Sequence, residues 1–100
     1  MLPFERLKKL NTIGNLWIYI LFLLKRKKLY GFEIPKLIEK EFHFKPGKIT
    51  PYRVLYRLEK EGFVKSETKD RKRFYYITEK GKKELKKAKD FYQEILDRLK

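Results

Sequence analysis

The chain contains no cysteine. Disulfides, thiolate nucleophiles and zinc–thiolate sites are thereby excluded, and the composition fits a reducing compartment, so a cytoplasmic location is expected. The single histidine, His43 in "EFHF", has no second histidine to share a metal, and it reads as a partly buried or loop-end residue. Neither a metal nor a cofactor is expected. The five glycines stand singly at element boundaries, so there is no glycine-rich phosphate loop. The longest apolar run, "LWIYILFLL" (16–24), is too short to span a bilayer. It is bulky throughout and leads into "KRKK" rather than a small-residue cleavage site. It therefore reads as a buried core helix and not as a signal peptide, and no membrane partner is expected. Acids are also scarce, 13 among 100 residues. They sit as helix-surface partners of lysine, such as Glu59, Glu61 and Glu84, and none forms a pair isolated in an apolar setting, so an enzyme is not expected.

What the chain has in excess is positive charge: 27 lysines and arginines give a net +14. Such an excess points to a polyanionic partner. A Lys/Glu-rich surface kept for heat tolerance is the rival account, but bases outnumber acids too strongly for paired networks to explain them. One hundred residues suffice for a single domain with one modest core, and an aromatic share of 16% argues against disorder.

Behind a short N-terminal arm, periodicity divides the chain into helix, helix, helix, β-hairpin, helix. Phe4, Leu7 and Leu10 recur at threes in "PFERLKKL", a short amphipathic helix that Gly14-Asn15 joins loosely to the rest as an arm. The apolar helix runs from about Asn15 to Lys27, with "KRKK" closing its last turn against the helix dipole. "LYGFEIPKLIEKEFHF" (29–44) reads as a helix starting near Gly31 or Phe32, with Pro35 in its first turn and a stripe of Ile34, Leu37, Ile38 and Phe42. "KPGK" breaks the chain. Thr50 is expected to cap the next helix, with Pro51 at its first position and Gly62 ending it. "FVKSETKDRKRFYYIT" (63–78) alternates as two strands about a charged turn at Lys69 to Lys72. Thr78 caps a long final helix, in whose first turn Gly81 lowers helix propensity.

At about 100° per residue, the helix over 51–61 places Val54, Leu55 and Leu58 on one face. Tyr52, Arg53, Tyr56, Arg57 and Lys60 fall on the other, with Glu59 and Glu61 only at its edges. Arginine suits bidentate contact with guanine and phosphate, and tyrosine adds a hydroxyl and a flat ring. A cationic, aromatic helix face preceded by a helix and a turn is what a major-groove reader requires. Lys48, Thr50, Tyr52, Arg53, Tyr56, Arg57 and Lys60 are therefore the candidate recognition set. The hairpin tip adds Lys69, Arg71, Lys72 and Arg73 against one acid, Asp70, and matches a wing lying along the phosphate backbone or dipping into the minor groove.

Three blocks in this order resemble the PadR-like winged-helix transcriptional regulators. "LYGFEI" (29–34) is similar to the "YGYEI"-like start of that family's second helix. "TPYRVLYRLEKEGFV" (50–64) is similar to its recognition segment "tlYpaLrrLEkeGli", and "KRFYYITEKG" (72–81) to its wing-to-helix junction "rryYrlTekG". Ile49 stands where the family usually has glycine, and Pro51 where it has another residue. The long C-terminal domain of larger members is absent, so the chain resembles the compact class with one terminal helix. The resemblance implies a dimeric repressor on a palindromic operator, often released by a small hydrophobic or aromatic effector. It also implies DNA contacts from Thr50, Tyr52, the Arg53–Arg57 face and Arg71–Arg73. The expected fold is mainly α with a small β-hairpin: a winged helix-turn-helix at 1–78 (recognition helix about 51–61, wing about 63–78) and a C-terminal dimerisation helix at 79–100.

In that last helix Leu85, Ala88, Tyr92, Ile95 and Leu99 recur at 3, 4, 3 and 4, a heptad seam that Phe91 and Leu96 widen. A small core covers only part of a helix about 30 Å long, so the seam is expected to form the dimer interface, with the 3–10 arm packing across the partner. Trp17 reads as a core aromatic rather than the lining of an effector pocket. Double-stranded DNA and a second copy are the expected partners, with room for a small hydrophobic or aromatic effector. Two rivals predict otherwise: a sequence-indifferent DNA- or RNA-binding protein would show no preferred operator, and a membrane-surface module would bind through its terminal helix.

Overall fold

A computed structural model describes residues 1–100. The elements are α1 (Pro3–Leu10), a 3₁₀ turn (Ile13–Asn15), α2 (Leu16–Arg26), β1 (Leu29–Tyr30), α3 (Glu33–Phe42), α4 (Thr50–Lys60), β2 (Val64–Lys69), β3 (Lys72–Ile77) and α5 (Glu79–Arg98). The apolar run becomes α2 and lies at the centre of the core. Leu16, Ile20, Leu21, Leu23 and Leu24 are buried, together with Ile34 and Ile38 of α3, Leu55 and Leu58 of α4, and Val64 and Tyr75 of the sheet. No polar side chain is buried, so the core rests on apolar area alone, at about 1.5–3 kcal/mol for each large side chain.

Three differences from the sequence expectation concern boundaries. First, α2 ends at Arg26, so Lys27 and Lys28 lie beyond its last turn. Second, Leu29–Tyr30 form a two-residue strand that pairs antiparallel with β3, giving a three-stranded sheet of order β1-β3-β2 rather than a lone hairpin. Two residues are too few to show an alternation, and Gly31 directly after them resembles a helix boundary. Third, Thr50 does not cap α4. It is the first helical residue and Pro51 the second, and the flanking residue Ile49 accepts from the Tyr52 and Arg53 N–H groups at 3.1 and 3.2 Å. Proline fits the second position as well as the first, because both lie among the N–H groups that have no helical acceptor.

The end of α4 is closed by Gly62 at φ +83°, where the Phe63 N–H reaches the Leu58 carbonyl at 2.9 Å and the Gly62 N–H the Glu59 carbonyl at 3.1 Å. This pair of bonds satisfies the last carbonyls of the helix and turns the chain into β2. The hairpin closes on Asp70 and Arg71, both at positive φ (51° and 64°), the geometry that matches strand twist in a two-residue turn. Thr78 caps α5 as expected, accepting from the Gly81 N–H at 3.1 Å. The same hydroxyl donates to the Gly62 carbonyl at 2.7 Å, so one side chain fastens the exit of α4 to the entry of α5.

Gly81 has a second reason to be glycine. A Cβ there would lie 2.2 Å from the Phe63 carbonyl oxygen and 2.7 Å from Ile77 Cγ1. The residue that weakens the helix locally is the one that lets α5 approach the sheet. At the far edge Arg26 binds Glu41, tying the end of α2 to the end of α3. That hydrogen bond holds the Glu41 carboxyl below the ordinary carboxylate range and raises Arg26 further.

Candidate nucleic-acid interface

α4 is positioned from beneath by Leu55 and Leu58, both buried, and by half-buried Val54, as the helical period predicts. This fixes the rotation of the helix about its axis. Tyr52, Arg53, Tyr56, Arg57 and Lys60 consequently face outward and are exposed. The two tyrosines differ in kind. Tyr56 is 68% exposed. Tyr52 is 46% exposed, and its ring approaches Gly31, where a Cβ would sit 3.4 Å from Tyr52 Cε1 and 3.3 Å from the Tyr75 ring. Glycine at 31 is therefore the seat on which the first tyrosine of α4 rests against the sheet, and only part of the Tyr52 ring is offered to a partner. Sequence reasoning missed this support, although "YG" ahead of α3 carried the signal.

Ion pairing distinguishes this face from α5. Four of the six ion pairs lie within α5, one joins Arg26 to Glu41, and one joins Arg73 to Glu59 at 4.0 Å. Arg53, Arg57 and Lys60 take part in none. Four of the seven cations of α5, Lys82, Lys86, Lys87 and Arg98, are thus locally neutralised, and none on the outward face of α4 is. The helix start adds to the same field: the Thr50 hydroxyl caps nothing, Lys48 is exposed, and the positive end of the helix dipole lies beside them, although Pro51 carries no N–H and those of Tyr52 and Arg53 are taken by Ile49. Such a terminus accepts phosphate oxygens.

Strand alternation splits the hairpin cations between two sides. Arg73 lies on the α4 side, near Glu59, whose carboxylate also receives the Ser66 hydroxyl. Glu59 was absent from the candidate residues, yet it steadies Arg73 beside α4. Lys69 and Lys72 are cross-strand partners on the opposite side, where Lys72 Nζ lies 5.6 Å from the Phe32 ring centroid. Arg71 stands at the tip in the left-handed conformation. The wing thus offers Arg73 on the α4 side and Lys69 and Lys72 on the other, with Arg71 at the tip between them.

The terminal seam also divides. Leu85 is 2% exposed and belongs to the core of its own chain, so it contributes to holding α5 in place rather than to a free surface. Ala88 is half-buried, and the Tyr92 hydroxyl donates to Asn11 Oδ1 at 2.7 Å, within the chain. Beyond Tyr92 nothing covers the helix: Ile95, Leu96 and Leu99 are exposed, as are Phe4, Leu7 and Leu10 on α1. Between the two helices runs an open apolar groove of about 870 Å³ floored by Ile18 and Tyr19. Burial there pushes the Tyr19 hydroxyl above its ordinary range, and nearby Tyr92 adds to the effect. Trp17 is half-buried against the core, as expected of a core aromatic. His43 is exposed at the end of α3 and no cluster of metal-ligating side chains exists. No helix is long and apolar enough to cross a membrane.

Helices α3 and α4 with the following hairpin constitute a winged helix-turn-helix, and comparison with solved structures agrees. A transcriptional regulator from Clostridium thermocellum is 30% identical, with 86% of this chain and 87% of that one covered at a TM-score of 0.77. A PadR family transcription regulator from Clostridium difficile is 26% identical, covering 83% and 95% at a TM-score of 0.72. Bacillus subtilis PadR in complex with operator DNA is 30% identical over 77% of this chain at a TM-score of 0.69, and this chain spans about half of that protein, 48%. No curated protein matches in a sequence search. The model of the transcriptional regulator PadR-like family matches residues 20–87, from the middle of α2 to the third turn of α5, and its members are transcriptional regulators and not enzymes. With that match over more than half its length, and with α4 and the wing inside it, the chain belongs to the PadR-like family of transcriptional regulators.

Proposed function

We propose that the chain is a cytoplasmic, homodimeric repressor that binds an inverted-repeat operator. The carrying observation is the outward face of α4, where Arg53, Arg57 and Lys60 have no acidic partner, whereas four of the seven cations of α5 do. Arg53 and Arg57 enter the major groove and read bases, Tyr52 and Tyr56 pack on sugar and phosphate, and Lys48, Thr50 and the start of α4 hold a phosphate. Arg71 and Arg73 follow the backbone or enter the minor groove beside it. Bacillus subtilis PadR, solved in complex with operator DNA, supports DNA as the partner.

Dimerisation uses the uncovered end of α5, Ile95 and Leu99 with Phe91 and Leu96, and α1 of one copy closes the groove of the other. Two recognition helices related by a two-fold axis then require half-sites about one helical turn apart, or a multiple of it. Most of the affinity comes from phosphate neutralisation, so binding falls steeply with salt, with a log–log slope of about −6 to −10. The test is protection of promoter DNA from the chain's own operon, followed by substitution. Arg53→Ala and Arg57→Ala should relax preference at individual base pairs, at about 1–3 kcal/mol each. Equal binding to all sequences by the unaltered protein would refute the operator and leave a sequence-indifferent binder.

A further inference from the structure

A second basic surface lies on the side of the sheet turned away from α4. Leu29, Val64 and Tyr75 point into the core, so the residues alternating with them, Tyr30, Lys65, Phe74 and Tyr76, stand on the outer side. Register sets Tyr30 beside Phe74 and Lys65 beside Tyr76. Phe32, from the turn after β1, stacks on Tyr30 with ring centroids 5.5 Å apart and remains 48% exposed. Lys28 leaves the end of α2 and lays its ammonium over the same rings, 5.8 Å from the Phe74 centroid and 5.1 Å from that of Tyr76. Glu67 lies on this face, where it accepts from the Tyr76 hydroxyl at 3.4 Å, and Glu33 borders it, accepting from the Tyr30 N–H at 2.9 Å.

Part of this has an ordinary explanation. Cross-strand aromatic pairs steady a small sheet, and lysines on an outer strand discourage edge pairing. Those reasons cover Tyr30 with Phe74, and Lys65. They do not cover Phe32, whose ring lies outside the sheet ladder, or Lys28, which meets aromatic rings and no acid. Aromatic rings edged by ammonium groups are what proteins use to hold single strands: bases stack on ring faces, and phosphates meet flexible cations. Charge complementarity makes the occupant a polyanion, and the rings select among polyanions. A duplex keeps its bases stacked inside and would use the lysines alone, whereas a single strand uses both. An ammonium over a partly exposed ring is loosely held, so an arriving phosphate draws Lys28 off Phe74 and Tyr76 and frees their faces for bases.

We propose that this outer face, Phe32, Phe74 and Tyr76 edged by Lys28 and Lys65, binds single-stranded nucleic acid independently of the α4 surface. The test uses the full chain and two fluorescein-labelled probes, a twelve-nucleotide oligothymidylate and a random-sequence duplex of equal length, read by anisotropy across a salt series. The triple variant Phe32→Ala, Lys28→Gln, Lys65→Gln should lose about tenfold or more in oligothymidylate affinity. Its log–log salt slope should flatten by about 1.4, near 0.7 for each lysine, while duplex affinity stays within about twofold. Arg53→Ala with Arg57→Ala should show the reverse pattern. The pair Lys28→Gln, Lys65→Gln leaves every ring in place, so a flattened slope in that pair cannot come from lost folding. Unchanged oligothymidylate binding in both sheet variants overturns the proposal. Loss of both probes together in the α4 variant also overturns it, because a single surface then serves both. Oligothymidylate binding without any duplex binding would instead sink the operator function and leave this surface standing.

Discussion

Replacing Gly81 with alanine tests the packing of α5 against a clear expectation of opposite sign. On an open helix the change should stabilise by about 1 kcal/mol, the difference in helix propensity. Here the added Cβ would meet the Phe63 carbonyl oxygen at 2.2 Å, more than an ångström inside ordinary contact, and Ile77 Cγ1 at 2.7 Å. Neither neighbour can swing away, since the first is backbone and the second is packed against the core. The first turn of α5 must therefore lift, at the usual overpacking cost of about 1–3 kcal/mol. Lifting it stretches the Thr78 N–H bond to the Phe63 carbonyl, 3.1 Å, which is worth about 1 kcal/mol more. Subtracting the propensity gain leaves a net loss of about 1–3 kcal/mol, or a fall in Tm of roughly 5–20 °C for a domain of this size. Urea and thermal denaturation followed by circular dichroism read this directly. An alanine variant as stable as the parent, or more so, would show that α5 can retreat freely, and the argument for a fixed α4–α5 junction would fail.

Three further outcomes are expected. Arg71 holds a positive φ that glycine adopts without strain, so Arg71→Gly should raise stability by about 1 kcal/mol while weakening operator binding; a loss of stability would refute the strained turn. Because the folded-state pKa of Glu41 is depressed, its pairing with Arg26 stabilises above the ordinary glutamate range and is lost as pH falls through the folded value. The stability gap between the parent and Glu41→Gln should therefore be constant at neutral pH and close below about pH 4, as urea midpoints across pH would show; a gap that widens in acid would contradict the assignment. Ile95→Asp with Leu99→Asp places charge on the uncovered end of α5 and should give folded monomers by light scattering, with operator affinity reduced by about a hundredfold or more as the second half-site is lost. A parent protein that is itself monomeric would end the dimer proposal.

The helical elements were legible because their physics is local. The bulky run of α2, the stripes of α3 and α4 and the Gly62 stop each depend on residues within a few positions of one another. The division of α4 into a core face and an outward face followed from its period alone. What escaped was set by partners distant in sequence. β1 exists only because Leu29 and Tyr30 meet Tyr75 and Phe74, and two residues cannot announce a strand unaided. Gly81 looked like a local weakness because its neighbour across the gap, Phe63, is contributed by another element. Leu85 has the spacing of a seam, and only the packed domain shows that its own core claims it. Thr50 was displaced by a single position, since threonine before proline suits a cap and a first helical residue alike.

The Thr78 hydroxyl, shared between Gly62 and Gly81, makes α5 a lever with its fulcrum at the end of α4. The 20 residues of α5 extend about 30 Å, so a tilt of about 10° at the fulcrum displaces the far end by about 5 Å. At 3.4 Å per base pair that is about one and a half base pairs in the distance between two recognition helices. In the proposed dimer, small changes where two such levers meet would therefore be read out as a choice among operator spacer lengths, with no change in any residue proposed to touch a base.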